Sequence, residues 1–218
     1  MLAGGATPRA AYRLLAGDPA RRDGIPWRCV QIFQGDERAV PPDHPDSNWR
    51  MAREAFLDAL RAGDLLPEEN LHRIAAEAAD PESAAADYGR MLRDLPVRGT
   101  GGPLFDLVLL GLGEDGHTAS LFPRSPVLTE TKHFVMAPWV DPPGVRRFTL
   151  TFPAINAAAC VAFLVSGPAK AAVLARALQE SARAAGGGAL PAARVRPEHG
   201  EVVWLVDRAA AGALPAAI

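Results

Sequence analysis

The sequence has few lysines, and its positive and negative charges nearly balance. The charge balance excludes some classes of function. Only two of its 23 basic residues are lysines, Lys132 and Lys170, and the formal net charge is −2. A general basic surface for nucleic acid is therefore not expected. No apolar run reaches the roughly 18 residues of a membrane-spanning helix, and the first residues lack the pattern of a signal peptide. The expectation is a cytoplasmic globular protein without a membrane or nucleic-acid partner.

Cysteine and clustered histidine are also scarce. Cys29 and Cys160 are the only cysteines, and each lies in an apolar, strand-like segment. This context predicts two buried, reduced thiols rather than a disulfide or a metal pair. The five histidines show no metal-ligand spacing, so no metal site is expected.

The order of the segments predicts a single α/β domain spanning residues 1–218. Strand-like runs alternate with helix-like runs along the whole chain, which favours a mostly parallel sheet covered by helices on both faces. The predicted strands are 27–33, 104–112, 133–137, 146–153, 160–167 and 202–206. The predicted helices are 9–16, 49–60, 81–95, 155–159, 169–184 and a last one that is capped by Asp207 and runs to residue 214.

The stretch 103–123 is the most informative part of the chain. Its apolar first half predicts a strand buried on both faces. The predicted strand is followed by a loop that contains Gly113, Gly116 and His117. In open α/β sheets ligands bind at the carboxyl ends of strands, and histidine is suited to proton transfer near neutral pH. The sequence therefore predicts a catalytic loop with His117 as its base.

Two further strand ends carry a glycine followed by functional side chains. They lie at 35–38, with Asp36 and Arg38, and at 167–170, with Lys170. In a parallel sheet these ends would share an edge with the His117 loop. The small residues at 4–7 precede a helix, with Thr7 as its expected N-cap and Pro8 at its first position, and such a helix start can bind an anion. Together these groups indicate an enzyme that acts on a small phosphorylated metabolite by proton transfer or hydrolysis.

Four motifs carry a resemblance to a known family. They are residues 4–8, 35–48, 111–123 and 204–210, which read GGATP, GDERAVPPDHPDSN, GLGEDGHTASLFP and WLVDRAA. On these motifs the chain resembles the 6-phosphogluconolactonases of the glucosamine/galactosamine-6-phosphate isomerase superfamily. The resemblance implies a Rossmann-like fold of the kind shared with glucosamine-6-phosphate deaminases. It also implies hydrolysis of 6-phosphoglucono-1,5-lactone in the pentose phosphate pathway, without a cofactor.

The resemblance also implies roles for individual residues. His117 matches the base that activates water, and Asp36 matches the acidic partner at the site. The residues implied to bind the sugar phosphate are Gly4, Gly5, Thr7, Arg38, Lys170 and, by a looser match, Arg147. Glu114 and Asp115 are interpreted as residues that shape the loop. The expected partner is a sugar-phosphate lactone, and the expected state is a monomer, with a weak dimer left open.

The chain also departs from the family pattern. Ala6 replaces a serine, and a helix and a central strand that the family has ahead of Gly4 are absent from this sequence, which we interpret as a misplaced start codon or a truncated copy. Two alternatives to the lactonase remain open. One is an amino-sugar-phosphate isomerase or deaminase, although Asp-Glu-Arg at 36–38 stands where that family tends to have Asp-Glu-Tyr. The other is a non-catalytic domain that binds sugar phosphates.

Overall fold

The computed structural model describes residues 1–96, 103–140, 144–183 and 190–215. Its parallel strands form two groups. In the first, β1 (Ile32–Phe33) pairs with β3 (Leu71–His72). In the second, β4 (Val108–Gly111), β8 (Cys160–Val165) and β9 (Glu201–Val206) lie in that order. The expected parallel pairing around the 103–123 stretch is therefore present.

Residues Met1 to Ala3 join these two groups. On one side the Leu2 amide donates to the Phe33 carbonyl (2.7 Å), and the Gly35 amide donates to the Leu2 carbonyl (2.9 Å). On the other side the Leu109 amide donates to the Met1 carbonyl (3.1 Å). These residues therefore lie between the two groups of parallel strands, where the resemblance implies a central strand. They lead directly into the Gly4–Gly5 turn.

A separate antiparallel sheet corrects the expectation of one mostly parallel sheet. It contains β2 (Asp36–Arg38), β5 (Val135–Met136), β6 (Trp139–Val140) and β7 (Val145–Leu150). The central strand β7 pairs antiparallel with each of the other three. Residues 36–38 are therefore a strand of this sheet rather than a loop at the end of a parallel strand. The fold is α/β with mixed sheets.

Helices cover both faces of the parallel strands, as expected. On one face of β4, Leu109 packs against a hydrophobic cluster that contains Trp49, Phe56 and Leu60. On the opposite face, Val108 and Leu110 belong to a second cluster, with Tyr88 and Leu174. The helices are α1 (Ala6–Gly17), α2 (Pro19–Arg22), α3 (Asn48–Ala52), α4 (Asp58–Ala62), α5 (Pro81–Arg93), α6 (Phe152–Ile155) and α7 (Ala171–Ser181), with a π-helical turn (Arg53–Leu57) between α3 and α4.

Several predicted boundaries are wrong for local reasons. Trp27–Cys29 is a 3₁₀ turn rather than a strand, because the Trp27 indole is anchored to the Arg22 carbonyl (2.7 Å). Cys29 is consequently exposed and Cys160 is half-buried, so the prediction of two buried thiols is wrong. The last predicted helix is only a 3₁₀ turn, Ala210–Ala213.

Of the two N-cap residues Asp80 and Thr7, one caps its helix as predicted and the other does not. Asp80 caps α5 as predicted, since its Oδ1 accepts from the Ser83 amide (3.0 Å). Thr7 does not cap α1, because Gly5 takes the N-cap position with φ 104°, which favours glycine. Residue 184, where the predicted helix 169–184 would end, lies outside the described residues. Within the described ranges, the helices are all too short or too polar to cross a bilayer.

Candidate active site

A cleft of about 640 Å³ opens at the carboxyl ends of β4 and β8. Its walls come from the Gly4–Gly5 turn and the start of α1, from β2 and β7, and from the loops that follow β4 and β8. All the site residues predicted from the sequence line this one cleft: Gly4, Gly5, Thr7, Asp36, Arg38, His117, Arg147 and Lys170. The antiparallel pairing of β2, although not predicted, therefore delivers Asp36 and Arg38 to the expected place.

His117 is oriented by Asp115 and not by Asp36. Its Nδ1 lies 2.6 Å from Asp115 Oδ1, and the same carboxylate oxygen accepts from the His117 amide (3.1 Å). The ring also packs against Phe122, with centroids 4.3 Å apart. Within the described part of the chain no hydrogen bond is made by His117 Nε2. A neutral imidazole that donates from Nδ1 to Asp115 has a free acceptor at Nε2, which is the arrangement of a general base.

Asp115 is the functional candidate that sequence reasoning missed. The sequence favours a loop-shaping role for Asp115, yet its carboxylate is the hydrogen-bond partner of His117. The Asp-Gly-His spacing contains the signal, because a single residue separates the two groups and that residue, Gly116, takes φ 85°. That conformation, which glycine adopts readily, folds the chain back so that the Gly116 amide reaches the Gly113 carbonyl (3.0 Å).

Gly113 leaves the space that the His117–Asp115 pair occupies. A Cβ at this position would overlap His117 Nδ1 and lie 2.7 Å from Asp115 Oδ1. We therefore expect Gly113→Ala to displace the imidazole and to lower kcat roughly 10- to 100-fold, because catalysis is sensitive to misplacements of about 1 Å. Steady-state kinetics on the folded variant measure this effect. Gly212→Ala, where nothing lies within 4 Å of the added Cβ, is the control; equal activity of the two variants would contradict the steric argument.

Asp36 has both carboxylate oxygens engaged. Its Oδ2 accepts from the Ser120 hydroxyl (2.9 Å), and its Oδ1 accepts from Asn48 Nδ2 (3.1 Å). Ser120 lies in the His117 loop, and its own amide donates to Thr149 Oγ1 (3.1 Å). Asp36 therefore ties this loop to the antiparallel sheet. Burial raises the pKa of the Asp36 carboxyl, with the Ser120 hydrogen bond acting in the opposite direction.

The raised pKa of Asp36 gives a pH prediction. A carboxyl whose pKa is higher in the folded protein contributes stability below its ordinary value of 3.8, and this contribution is lost as the pH rises through the folded value. As the pH rises above 3.8 we expect the wild-type protein to lose unfolding free energy relative to Asp36→Asn. Urea unfolding of both proteins across this range measures the difference. A difference that does not change with pH would contradict the assignment.

Glu37 holds the segment behind the cleft together. This carboxylate is 2% exposed and accepts five hydrogen bonds of 2.7 to 2.9 Å. Two donors are the side chains of Gln34 and Ser47, and three are backbone amides, those of Arg38, Asn48 and Trp49. Sequence reasoning gave Glu37 no role of its own, because buried carboxylates are rare and the segment was expected to be a loop.

Arg38 and Arg147 are directly opposite each other in the β2–β7 ladder. Arg38 Nη1 donates to Asn48 Oδ1 (2.9 Å) and to the Asp46 carbonyl (2.6 Å). Arg147 is half-buried, and its Nε has no hydrogen-bond partner in the described structure. Burial, and secondly the charge of Arg38, lower the pKa of Arg147. Like charges on facing residues are unfavourable, so this pair favours an anionic or electron-rich ligand.

A second cationic group lies at the ends of β8 and the Gly4–Gly5 turn. Thr7 Oγ1 is 3.0 Å from Ser166 Oγ, and Lys170 Nζ is 3.8 Å from Glu114 Oε1, whose side chain is 71% exposed. The first backbone amides of α1 and the positive end of its dipole add to this group. Its hydroxyls, amides and ammonium are the donors that phosphate sites use. The described residues contain no cluster of three or more side chains that could hold a metal ion.

Comparisons with known proteins give matches along nearly the whole chain. The family model described as glucosamine-6-phosphate isomerases/6-phosphogluconolactonase matches residues 1–204. A Synechocystis protein named 6-phosphogluconolactonase is 43% identical over 96% of this chain and 81% of its own length. A rice protein named as a probable chloroplastic 6-phosphogluconolactonase is 36% identical over 98% of this chain and 66% of its own. A solved structure of the Trypanosoma brucei enzyme of that name is 33% identical, covers 98% of this chain and 86% of its own, and has a TM-score of 0.77.

Proposed function

Because the chain belongs to the glucosamine-6-phosphate isomerase/6-phosphogluconolactonase family, on its lactonase side, we propose that it hydrolyses 6-phospho-D-glucono-1,5-lactone to 6-phospho-D-gluconate in the pentose phosphate pathway. The observation that carries this proposal is the His117–Asp115 pair at 2.6 Å inside a cleft with cationic walls. One base suits a lactone, which is an activated ester with a built-in leaving group.

The proposed mechanism is direct attack by water. His117 Nε2 takes a proton from a water molecule, and the water oxygen forms a bond to C1 of the lactone. The negative charge passes to the carbonyl oxygen. When the tetrahedral intermediate collapses, the bond between C1 and the ring oxygen breaks, and His117 returns the proton to that oxygen. The carboxylic acid formed at C1 then loses its own proton to solvent. Asp115 keeps the imidazole in the required tautomer and stabilises its protonated form, as the aspartate of a catalytic triad does.

We propose that the C6 phosphate binds at the start of α1. Gly4 and Gly5 let the backbone approach it, Thr7 contributes a hydroxyl, and Lys170 contributes the charge. The support is the cluster of hydroxyl, amide and ammonium donors at this position and the favourable end of the helix dipole. Arg38 and Arg147 are substrate-binding residues in the same cleft, and Asp36 positions the His117 loop through Ser120.

A two-substrate assay tests the proposal. Purified protein is given the lactone, and proton release is measured above the spontaneous rate. In parallel it is given glucosamine 6-phosphate, and ammonia is measured. The proposal predicts rapid lactone opening and no ammonia. Clear ammonia release would favour the deaminase alternative. If neither reaction is observed, the alternative of a non-catalytic domain that binds sugar phosphates would be favoured. The expected monomeric state and cytoplasmic location stay predictions.

A further inference from the structure

The two cationic groups of the cleft are held against different parts of the His117 loop. Lys170 pairs with Glu114, which precedes His117 in the loop. The Arg38–Arg147 group connects to the same loop after His117, through Ser120. The charges that act on Arg147 are those of Arg38, Asp36, Glu37 and Asp46. The substrate proposed above also has two ends that carry negative charge: the C6 phosphate, and C1, where charge forms during the reaction.

The charge balance of the two groups differs. Asp36 and Glu37 lie beside Arg38 and Arg147, so this group as a whole has little excess positive charge. A phosphate dianion would face the Asp36 carboxylate in the cleft, with the Glu37 carboxylate buried behind it, and would gain little. In the Lys170 group the exposed Glu114 is the ion-pair partner of Lys170, and the Asp207 carboxylate at the end of β8 is occupied by the Gly167 and Ala210 amides. The phosphate therefore fits the Lys170 group better than the arginine pair, which leaves the two arginines available for the other end of the substrate.

Arg147 has the properties of a group prepared for charge that appears during a reaction. Its Nε is buried without a hydrogen-bond partner in the described residues, and burial lowers its pKa. Its strand is fixed against the His117 loop, because the Thr149 hydroxyl accepts from the Ser120 amide (3.1 Å). A neutral carbonyl compensates this partly desolvated cation poorly, whereas an oxyanion compensates it well. Such differential stabilisation accelerates a reaction.

We infer that Arg147, supported by Arg38, binds the C1 carbonyl oxygen of the lactone and stabilises the negative charge that forms on it. This inference rests on the proposed function. As the water oxygen bonds to C1, the carbonyl electron pair moves onto the oxygen that faces Arg147. After the ring bond breaks, the C1 carboxylate of the product remains opposite the guanidinium, whose planar fork matches a carboxylate. Arg147 is then a catalytic residue and not a phosphate ligand.

Three ligands separate the two ends of the site. They are 6-phosphogluconate, with phosphate and carboxylate, glucitol 6-phosphate, with phosphate only, and gluconate, with carboxylate only. Their dissociation constants are measured by calorimetry on Arg147→Gln, Arg147→Lys and Lys170→Gln. The control is Arg146→Gln, since Arg146 lies on the other face of β7 and bonds to Glu82 and the Ala137 carbonyl.

We expect Arg147→Gln to weaken 6-phosphogluconate and gluconate by roughly 10- to 100-fold and to change glucitol 6-phosphate by less than about threefold. It should lower kcat roughly 100-fold with a small change in KM. Lys170→Gln should weaken both phosphate ligands alike and leave gluconate unchanged. Arg147→Lys, which keeps the charge without the fork, should fall between wild type and Arg147→Gln.

If Arg147→Gln weakened the binding of 6-phosphogluconate and of glucitol 6-phosphate equally, the inference would be overturned. Arg147 would then be assigned as a phosphate ligand. Unchanged binding of all three ligands would also overturn it. The binding measurements need no turnover, so they remain readable if the wild-type protein fails to hydrolyse the lactone. That failure would refute the proposed function instead.

Discussion

His117→Ala is expected to lower kcat for lactone hydrolysis by about 10²- to 10⁴-fold, the usual contribution of a positioned general base. The physical reason is that the imidazole is the one group of the described cleft with both an orienting carboxylate and an open acceptor atom. KM should change little, because the phosphate-binding flank is untouched. Steady-state kinetics, corrected for spontaneous opening of the lactone, measure the effect.

The matched control is His133→Ala. His133 is an exposed histidine, with a side chain 63% accessible, that pairs with Glu130 away from the cleft. This variant should retain wild-type kcat. If His117→Ala kept more than about a tenth of wild-type activity, the base would have to be another group.

Glu37→Ala is expected to have the largest effect on stability, lowering the unfolding free energy by about 3–5 kcal/mol. Removing this carboxylate leaves five donors around a buried space, and three of them are backbone amides that cannot turn elsewhere. Glu37→Gln keeps the volume and one acceptor oxygen, so it should cost less. Urea unfolding of both variants measures the difference.

The control for Glu37 is Glu54→Ala, which removes an exposed carboxylate that pairs with Arg50. Exposed pairs contribute about 0–1 kcal/mol, so its effect should be small. A folded Glu37→Ala should also lose activity, because Asn48, which Glu37 holds, is bonded to both Asp36 and Arg38. Equal stability of the Glu37 and Glu54 variants would refute the structural role.

The catalytic loop could be predicted because its signal is local. The apolar run before Gly111 indicates a buried strand, and the glycines after it indicate a loop that approaches a ligand. The carboxylate beside His117 is harder to predict, since Glu114 and Asp115 are adjacent and alike, and only the glycine between Asp115 and His117 favours Asp115. The backbone turn at Gly116 decides between them by folding Asp115 toward the ring.

The antiparallel sheet could not be predicted, because its decisive contacts are distant in sequence. Residues 36–38 are three charged residues, which have low strand propensity, and they form a strand only by pairing with 147–149. The same pairing explains why Arg147 and not Arg146 enters the cleft. Alternation along β7 puts Arg147 on the face of Thr149, whereas Arg146 turns to Glu82.

The most direct test of the central claim is a double-mutant cycle on His117 and Asp115. If the two side chains act as one unit, Asp115→Asn lowers kcat on its own, and the double variant His117→Ala/Asp115→Asn is no slower than His117→Ala, because the carboxylate has no imidazole left to orient. The measurement is kcat for 6-phosphogluconolactone hydrolysis by the four proteins. The account predicts losses that do not multiply. Losses that multiply, or a wild-type rate no faster than spontaneous opening, would contradict it.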